Sequence, residues 1–133
     1  MVERINKEES SLLAKSEIER AGDELNAAKI LQESGFYFKS VASAYYSIYH
    51  ASKALLLLKG VAPKTHEGVE RMFSLYYIKT EEFDLTVGKA IGRLMKMRQE
   101  ADYYPEIPFT HEESVGAIHM ATVFLEKAKS LIT

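Results

Sequence analysis

Three side chains near the end of a predicted helix combine a permanent cation with proton-exchanging groups. Arg98, Asp102 and Tyr103 lie within six consecutive residues, and Arg98 continues an apolar stripe from Leu94 and Met95. The spacing therefore predicts a guanidinium at the edge of the core. A guanidinium beside a phenol hydroxyl can bind a phosphodiester through paired hydrogen bonds. We predict Arg98, Asp102 and Tyr103 as a catalytic group; the alternative is a surface ion pair between Arg98 and Asp102.

A second group lies on the predicted central helix, where tyrosines and a histidine follow one another on consecutive turns. Tyr46 and His50 are four residues apart, as are Tyr45 and Tyr49. Phenols and imidazoles can both hydrogen-bond and stack on a base, so Tyr46 and His50 are candidates for binding RNA or a nucleotide. Alternatively, Tyr45 and Tyr49 fill the core and direct their hydroxyls to the backbone or solvent.

The third group, Lys64, Thr65 and His66, begins a short predicted helix. Free backbone N–H groups and the helix dipole favour an anion at such a position, so these three residues are predicted to contribute to phosphate binding. Alternatively, Thr65 only caps the helix and His66 is solvated.

Length and composition restrict the remaining possibilities. The 133 residues suit one domain spanning 1–133, and the net charge of −2 is unlike that of a protein that coats nucleic acid. The absence of cysteine excludes disulfides, thiolate metal sites and cysteine nucleophiles. The longest apolar run, residues 54–58, is too short to cross a bilayer, and no apolar segment follows the N-terminal charges. We expect a cytoplasmic protein with no membrane contact.

Known catalytic signatures are also missing. No glutamate is followed by histidine three residues later, as a di-iron bundle requires. His66-Glu67 begins like a zinc-protease motif, but Glu70 stands where the second histidine belongs. A phosphate-binding glycine loop is absent as well, so we predict neither a metal nor a cofactor.

The apolar spacing predicts an all-α, antiparallel up-and-down bundle of four main helices plus one short helix. The predicted helices cover residues 7–34, 38–59, 65–78, 87–103 and 110–133. Ser34-Gly35 and Gly60 are predicted to end the first two helices, and Thr110 with Glu113 to form a capping box. Gly88 and Gly92, four residues apart, indicate the close approach of another backbone.

Residues 44–56, Gly60, 64–69 and 98–103 together resemble the HEPN domain family, in particular its small stand-alone prokaryotic branch. The resemblance covers nearly the whole chain. It implies an antiparallel helical bundle, a homodimer, and an operon partner of the minimal nucleotidyltransferase type in a toxin–antitoxin arrangement. Active family members are metal-independent RNA endonucleases with an arginine, usually followed by a polar residue, and then a histidine after a gap of four to six residues.

This chain matches only the first half of that motif. Arg98 and Gln99 are present, but Tyr103, preceded by Asp102, stands where a four-residue gap would place the histidine, and Tyr104 and Pro105 occupy the next two positions. Tyrosine, with a pKa of about 10, exchanges protons poorly at neutral pH, whereas histidine does so readily. His50 or His66 could supply the imidazole only if folding or dimerisation brings one of them to Arg98.

Three hypotheses follow. The preferred one is a HEPN-type protein that binds RNA or a nucleotide and works with a nucleotidyltransferase. The second is a metal-independent endoribonuclease with a degenerate motif, in which His50 or His66 transfers the proton. The third is a non-catalytic, homodimeric protein-interaction module in which Arg98 and Asp102 form a structural pair.

Overall fold

Six helices and one very short strand pair make up the described part of the chain. A computed structural model describes residues 2–3, 6–103 and 109–132, without the side chains of 2–3 and 101–102. The elements in chain order are β1 (Val2–Glu3), α1 (Lys7–Glu33), α2 (Tyr37–Leu58), β2 (Ala62–Pro63), α3 (His66–Phe73), a π-helical turn (Ser74–Ile78), α4 (Leu85–Gly88), α5 (Ala90–Tyr103) and α6 (His111–Ile132). The predicted all-α bundle is confirmed; the antiparallel β1–β2 pairing joins only two residues of each strand.

Glycine ends both α1 and α2 in the same way. Gly35 has φ 84° and Gly60 has φ 74°, a left-handed conformation that residues with a Cβ rarely adopt. After α1, the N–H of Phe36 donates to the carbonyl of Leu31 at 2.9 Å, and an equivalent bond closes α2. These are Schellman caps, so the helix ends predicted from the two glycines are confirmed.

Helices α1 and α2 pack closely through small side chains. Ala21 and Ala28 of α1 are fully buried. Their carbonyl oxygens accept hydrogen bonds from Ser47 at 2.8 Å and from Ser40 at 2.7 Å, both on α2. A buried hydroxyl needs a hydrogen-bond partner. These two serines can reach backbone carbonyls of α1 because the two helices are so close. This packing sets which α1 residues face the central helix.

An aromatic cluster forms the centre of the core. Phe73, Phe83 and Phe124 are each at most 2% exposed, and their rings contact one another at centroid distances of 4.8 to 5.4 Å. Tyr77, in the π-helical turn, stacks on Phe73 and donates its hydroxyl to the carbonyl of Leu55 in α2. The cluster thereby joins α3, the π-helical turn and α6 to the central helix.

The last helix begins at the predicted capping box. The Glu113 carboxylate accepts from the N–H of Thr110 at 2.8 Å, and the Thr110 hydroxyl accepts from the N–H of Glu113 at 3.1 Å. Helix α6 then packs against α2 with its buried face, which includes Ala117 and Ala121. None of the described helices is long and apolar enough to cross a membrane.

The predicted fourth helix needs two corrections. It is split into α4 and α5, which are separated at Lys89. The two glycines are approached by side chains and not by a backbone. A Cβ on Gly88 would lie 1.9 Å from Cδ1 of Ile78, and one on Gly92 would lie 3.0 Å from a carboxylate oxygen of Glu70. The four-residue spacing of the two glycines correctly indicated close packing. The contacting atoms are side chains of α3 and the π-helical turn, which the spacing alone could not specify.

Candidate functional site

The candidate site lies where α2, the start of α3 and α5 meet. Tyr45, Tyr46 and Tyr49 come from consecutive turns of α2, His66 is the first residue of α3, and Arg98 comes from α5. The three elements are distant in sequence, and tertiary packing places these five side chains in one cluster.

His66 is held in the cluster by two tyrosines. Its Nδ1 atom lies 2.6 Å from the hydroxyl oxygen of Tyr45, and its ring lies parallel to Tyr49 with centroids 4.2 Å apart. Thr65 fixes the first turn of α3, because its hydroxyl accepts from the N–H of Gly68 at 2.9 Å. The imidazole therefore has a defined position and orientation.

Arg98 reaches the same cluster from α5. Its Nη1 donates to the hydroxyl oxygen of Tyr46 at 2.8 Å. The guanidinium carbon lies 5.4 Å from the ring centroid of Tyr45 and 5.5 Å from that of Tyr46, within the range of cation–π attraction. Arg98 is half-buried, so aromatic rings cover part of its charge while the side chain keeps access to the surface.

Two pKa values reflect this arrangement. Burial lowers the pKa of His66 below its ordinary value, and the charge of Arg98 lowers it further. Burial raises the pKa of Tyr45 well above its ordinary range, although Arg98 acts in the opposite direction. At neutral pH the site therefore contains a neutral imidazole, a protonated phenol and a permanent cation.

These groups have complementary chemistry. A guanidinium carries several N–H donors suited to phosphate oxygens. A neutral imidazole can accept or donate a proton near neutral pH. Tyr46 and Tyr49 are half-buried, so part of each ring stays accessible to a base, although His66 covers one face of Tyr49. The combination suits a phosphodiester with an attached base.

His50 belongs to a different set of contacts. Its Nδ1 lies 2.8 Å from Oε1 of Glu17 on α1, and Lys53 Nζ lies 3.0 Å from the other carboxylate oxygen. Burial raises the pKa of Glu17, but hydrogen bonds from His50 and Lys53 outweigh this and leave the pKa below its ordinary value. Tyr49 joins the two sets, since its ring contacts both His50 and His66.

The other predicted site residues lie as follows. Thr65 caps α3 through its hydroxyl, and Lys64 beside it is exposed. Tyr103 is 81% exposed at the end of α5. The side chain of Asp102 lies outside the described part of the structure. Of the predicted residues, the fold thus brings Tyr46, His66 and Arg98 together and directs His50 to Glu17.

Four members of these networks, Tyr45, Tyr49, Glu17 and Lys53, were not predicted as site residues. Tyr45 was expected to fill the core; it is fully buried and also holds His66. Glu17 was not singled out, although its position is informative: it stands three residues after buried Ala14 and four before buried Ala21. A carboxylate on a buried stripe indicates a partner across the interface. Among the described residues, no cluster of three or more His, Cys, Asp or Glu could hold a metal.

Sequence comparison now places the chain among known proteins. Residues 14–131 match the sequence profile of the HEPN domain. The chain belongs to the HEPN family. The resemblance seen in the tyrosine-histidine, Lys64 to His66 and Arg98 segments is thereby confirmed.

Individual HEPN relatives are similar over most of their length. The protein named "Putative toxin MJ0605" from Methanocaldococcus jannaschii is 41% identical over 115 residues, covering 86% of this chain and 85% of the relative. "Putative toxin MJ0142" from the same organism is 39% identical over 115 residues, covering 86% and 78%. A UPF0332 protein from Thermotoga maritima is 31% identical over 113 residues, covering 85% and 86%.

Proposed function

We propose that this HEPN protein is the toxin component of a toxin–antitoxin pair, and that it binds RNA through Arg98, Tyr46 and His66. One observation carries the proposal: a half-buried guanidinium, hydrogen-bonded to Tyr46, shares an aromatic cluster with a neutral imidazole. The toxin names of the two Methanocaldococcus jannaschii relatives support the biological role.

In this proposal Arg98 binds the phosphate. The hydrogen bond to Tyr46 orients its guanidinium, so that less conformational freedom is lost when a phosphate oxygen arrives. Tyr49 and Tyr46 offer ring faces or edges to an adjacent base. Because most of the recognition is stacking and phosphate contact, we expect preference for single-stranded RNA over duplex RNA.

The decisive experiment measures binding of a fluorescein-labelled single-stranded RNA by anisotropy, in EDTA and at low salt. We expect Arg98→Ala to weaken binding by about tenfold or more, because a charge-assisted phosphate contact contributes about 1.5–3 kcal/mol. Arg93→Ala is the matched control, since Arg93 is an exposed arginine of the same helix. Equal effects of the two substitutions, with both proteins folded, would rule out the assigned site.

RNA cleavage is the second candidate function, and the location of His66 favours it. In 2′-hydroxyl attack, the hydroxyl loses a proton as its oxygen bonds to phosphorus, and the 5′-oxygen leaves with a proton. His66 can serve such transfers, because the Tyr45 hydroxyl at Nδ1 accommodates either ring tautomer. Arg98 would stabilise the negative charge that grows on the phosphate.

Cleavage is tested with the same RNA in EDTA across pH. We expect His66→Ala to abolish cleavage and His50→Ala to preserve most of it, since His50 faces Glu17. Binding without cleavage in the wild-type protein would leave RNA binding as the function. If the wild-type protein neither binds nor cleaves RNA, the hypothesis that remains is the protein-interaction module.

The partner proteins follow from the same proposal. A nucleotidyltransferase partner would act as the antitoxin, and the toxin would form a homodimer. Inducible expression should slow growth, Arg98→Ala should relieve the effect, and co-expression of the proposed nucleotidyltransferase partner should suppress it. Light scattering on the purified protein tests the dimer directly.

A further inference from the structure

A groove separate from the Arg98 cluster opens beside the start of α5. It has a volume of about 680 Å³ and lies between α3, the π-helical turn and the α4–α5 segment. Phe73, Ile78 and Ile91 contribute to its mostly apolar lining. Tyr46, His66 and Arg98 are not part of its wall, so the proposed RNA site does not account for it.

The apolar surface continues onto the rim of the groove. Leu75, from the π-helical turn, is 46% exposed, and Leu85, at the start of α4, is 54% exposed. Both line the groove. A small molecule inside the cavity would leave much of these leucines in water, whereas a chain segment lying along the groove would cover them.

The charges around the groove are mainly positive. Arg71, Lys79 and Lys89 line it, and all three are exposed. None of them forms a salt bridge with a carboxylate in the part of the chain that the structure describes. The one acidic lining residue, Glu70, is turned toward Gly92. This basic rim contrasts with the net charge of −2 for the whole chain.

We propose that this groove binds an acidic amphipathic helix of a partner protein. One apolar stripe of such a helix would enter the groove and cover Leu75 and Leu85, while its flanking carboxylates would meet Arg71, Lys79 and Lys89. A helix satisfies its own backbone hydrogen bonds, so it can lie in an apolar groove that offers few backbone partners.

The groove lies close to the proposed RNA-binding cluster. Glu70 borders the groove and stands one helical turn after His66 on α3. A helix in the groove would therefore lie beside the cluster without occupying it. The docking proposal stands independently of RNA binding, because its test uses no RNA.

The test uses a labelled, alanine-rich peptide of about 15 residues, long enough to form a helix. Leucines at three- and four-residue spacing form one face, and glutamates flank that face. Fluorescence anisotropy should show saturable binding that weakens with salt. A peptide with lysines in place of the glutamates should bind at least about tenfold more weakly, because it places like charges against the rim.

Variants of the protein locate the binding. The double variant Lys79→Glu/Lys89→Glu should weaken binding by about tenfold, and Leu75→Ala/Leu85→Ala by a similar factor. Lys29→Glu/Lys39→Glu, which reverses two exposed lysines outside the groove, is the matched control and should change affinity less than twofold. Circular dichroism checks that every variant is folded.

Three results would overturn the proposal. The first is equal affinity for the acidic and the basic peptide. The second is an equal loss in the groove variant and the control variant. The third is a dimer, detected by light scattering, that Leu75→Ala/Leu85→Ala dissociates, because the groove would then be covered by a second copy of the chain.

Discussion

Nδ1 of His66 lies 2.6 Å from the hydroxyl oxygen of Tyr45, a fully buried residue of the central helix. The two residues are 21 positions apart. This contact fixes an imidazole in the aromatic cluster that also holds Arg98, and so places a proton-exchanging group beside a permanent cation. The HEPN motif of this chain lacks its histidine, and in the proposed function His66 would take its place beside Arg98.

The protonation of His66 should depend on Arg98. Burial and the Arg98 charge both lower the pKa of His66, so we expect it to titrate below about 6.5 and to move upward in Arg98→Ala. Titration of the histidine ring resonances by NMR measures this pKa, with Arg93→Ala as control.

The same pKa shift affects stability. Since folding lowers the pKa of His66, the contribution of neutral His66 to stability is present above about pH 6.5 and is lost as the pH falls through the folded pKa. An unchanged pKa in Arg98→Ala would contradict the assigned electrostatics.

The Tyr46 hydroxyl should contribute to RNA affinity through Arg98. Tyr46→Phe removes the acceptor for Arg98 Nη1 but keeps the ring. We expect RNA binding to weaken by about three- to tenfold, as for loss of one hydrogen bond that orients a charged group. Tyr37→Phe, at the first residue of α2 and outside the cluster, is the matched control. Identical affinities for both variants would show that the hydroxyl does not orient the guanidinium.

Glu17 should stabilise the contact between α1 and α2. Glu17→Gln leaves His50 and Lys53 without their carboxylate partner, and we expect a loss of about 1–2 kcal/mol in the free energy of unfolding at pH 7. Because the Glu17 pKa is lowered in the folded state, this stabilisation is present above the ordinary value of 4.5 and disappears as the pH falls through the folded pKa. Urea unfolding of the wild-type protein and Glu17→Gln, at pH 7 and at a pH well below 4.5, measures the difference in the free energy of unfolding. Glu19→Gln, on the exposed side of the same helix, should be nearly neutral.

Gly88 should be required only because Ile78 fills the space beside it. In the wild-type background, Gly88→Ala should cost about 1 kcal/mol, because overpacking against Cδ1 of Ile78 exceeds the gain in helix propensity. In an Ile78→Ala background the same substitution should become stabilising by up to about 1 kcal/mol. Thermal or urea unfolding of the wild type, the two single variants and the double variant measures the coupling between Gly88 and Ile78. The same effect in both backgrounds would show that the two residues are not coupled.

The sequence by itself determined the helices and their ends, because these depend on local interactions. Gly35 and Gly60 supply the left-handed residue of a helix cap, and Thr110 with Glu113 satisfies the first N–H groups of α6. The apolar spacing was sufficient for an all-α bundle. Local signals failed at Lys89, where the predicted fourth helix is interrupted, since the packing of Gly88 against Ile78 involves a segment ten residues away.

Only the tertiary structure decided which candidate side chains act together. Tyr46, His50, His66 and Arg98 were all candidates, but local periodicity cannot specify distances between elements that are far apart in sequence. The packing of α1 on α2 assigns His50 to Glu17, and the position of α3 assigns His66 to the Arg98 cluster. Side-chain types and spacing thus identify the available chemistry. Which groups share a site is determined by contacts between residues 21 to 52 positions apart in the sequence, and these contacts form only when the helices pack together.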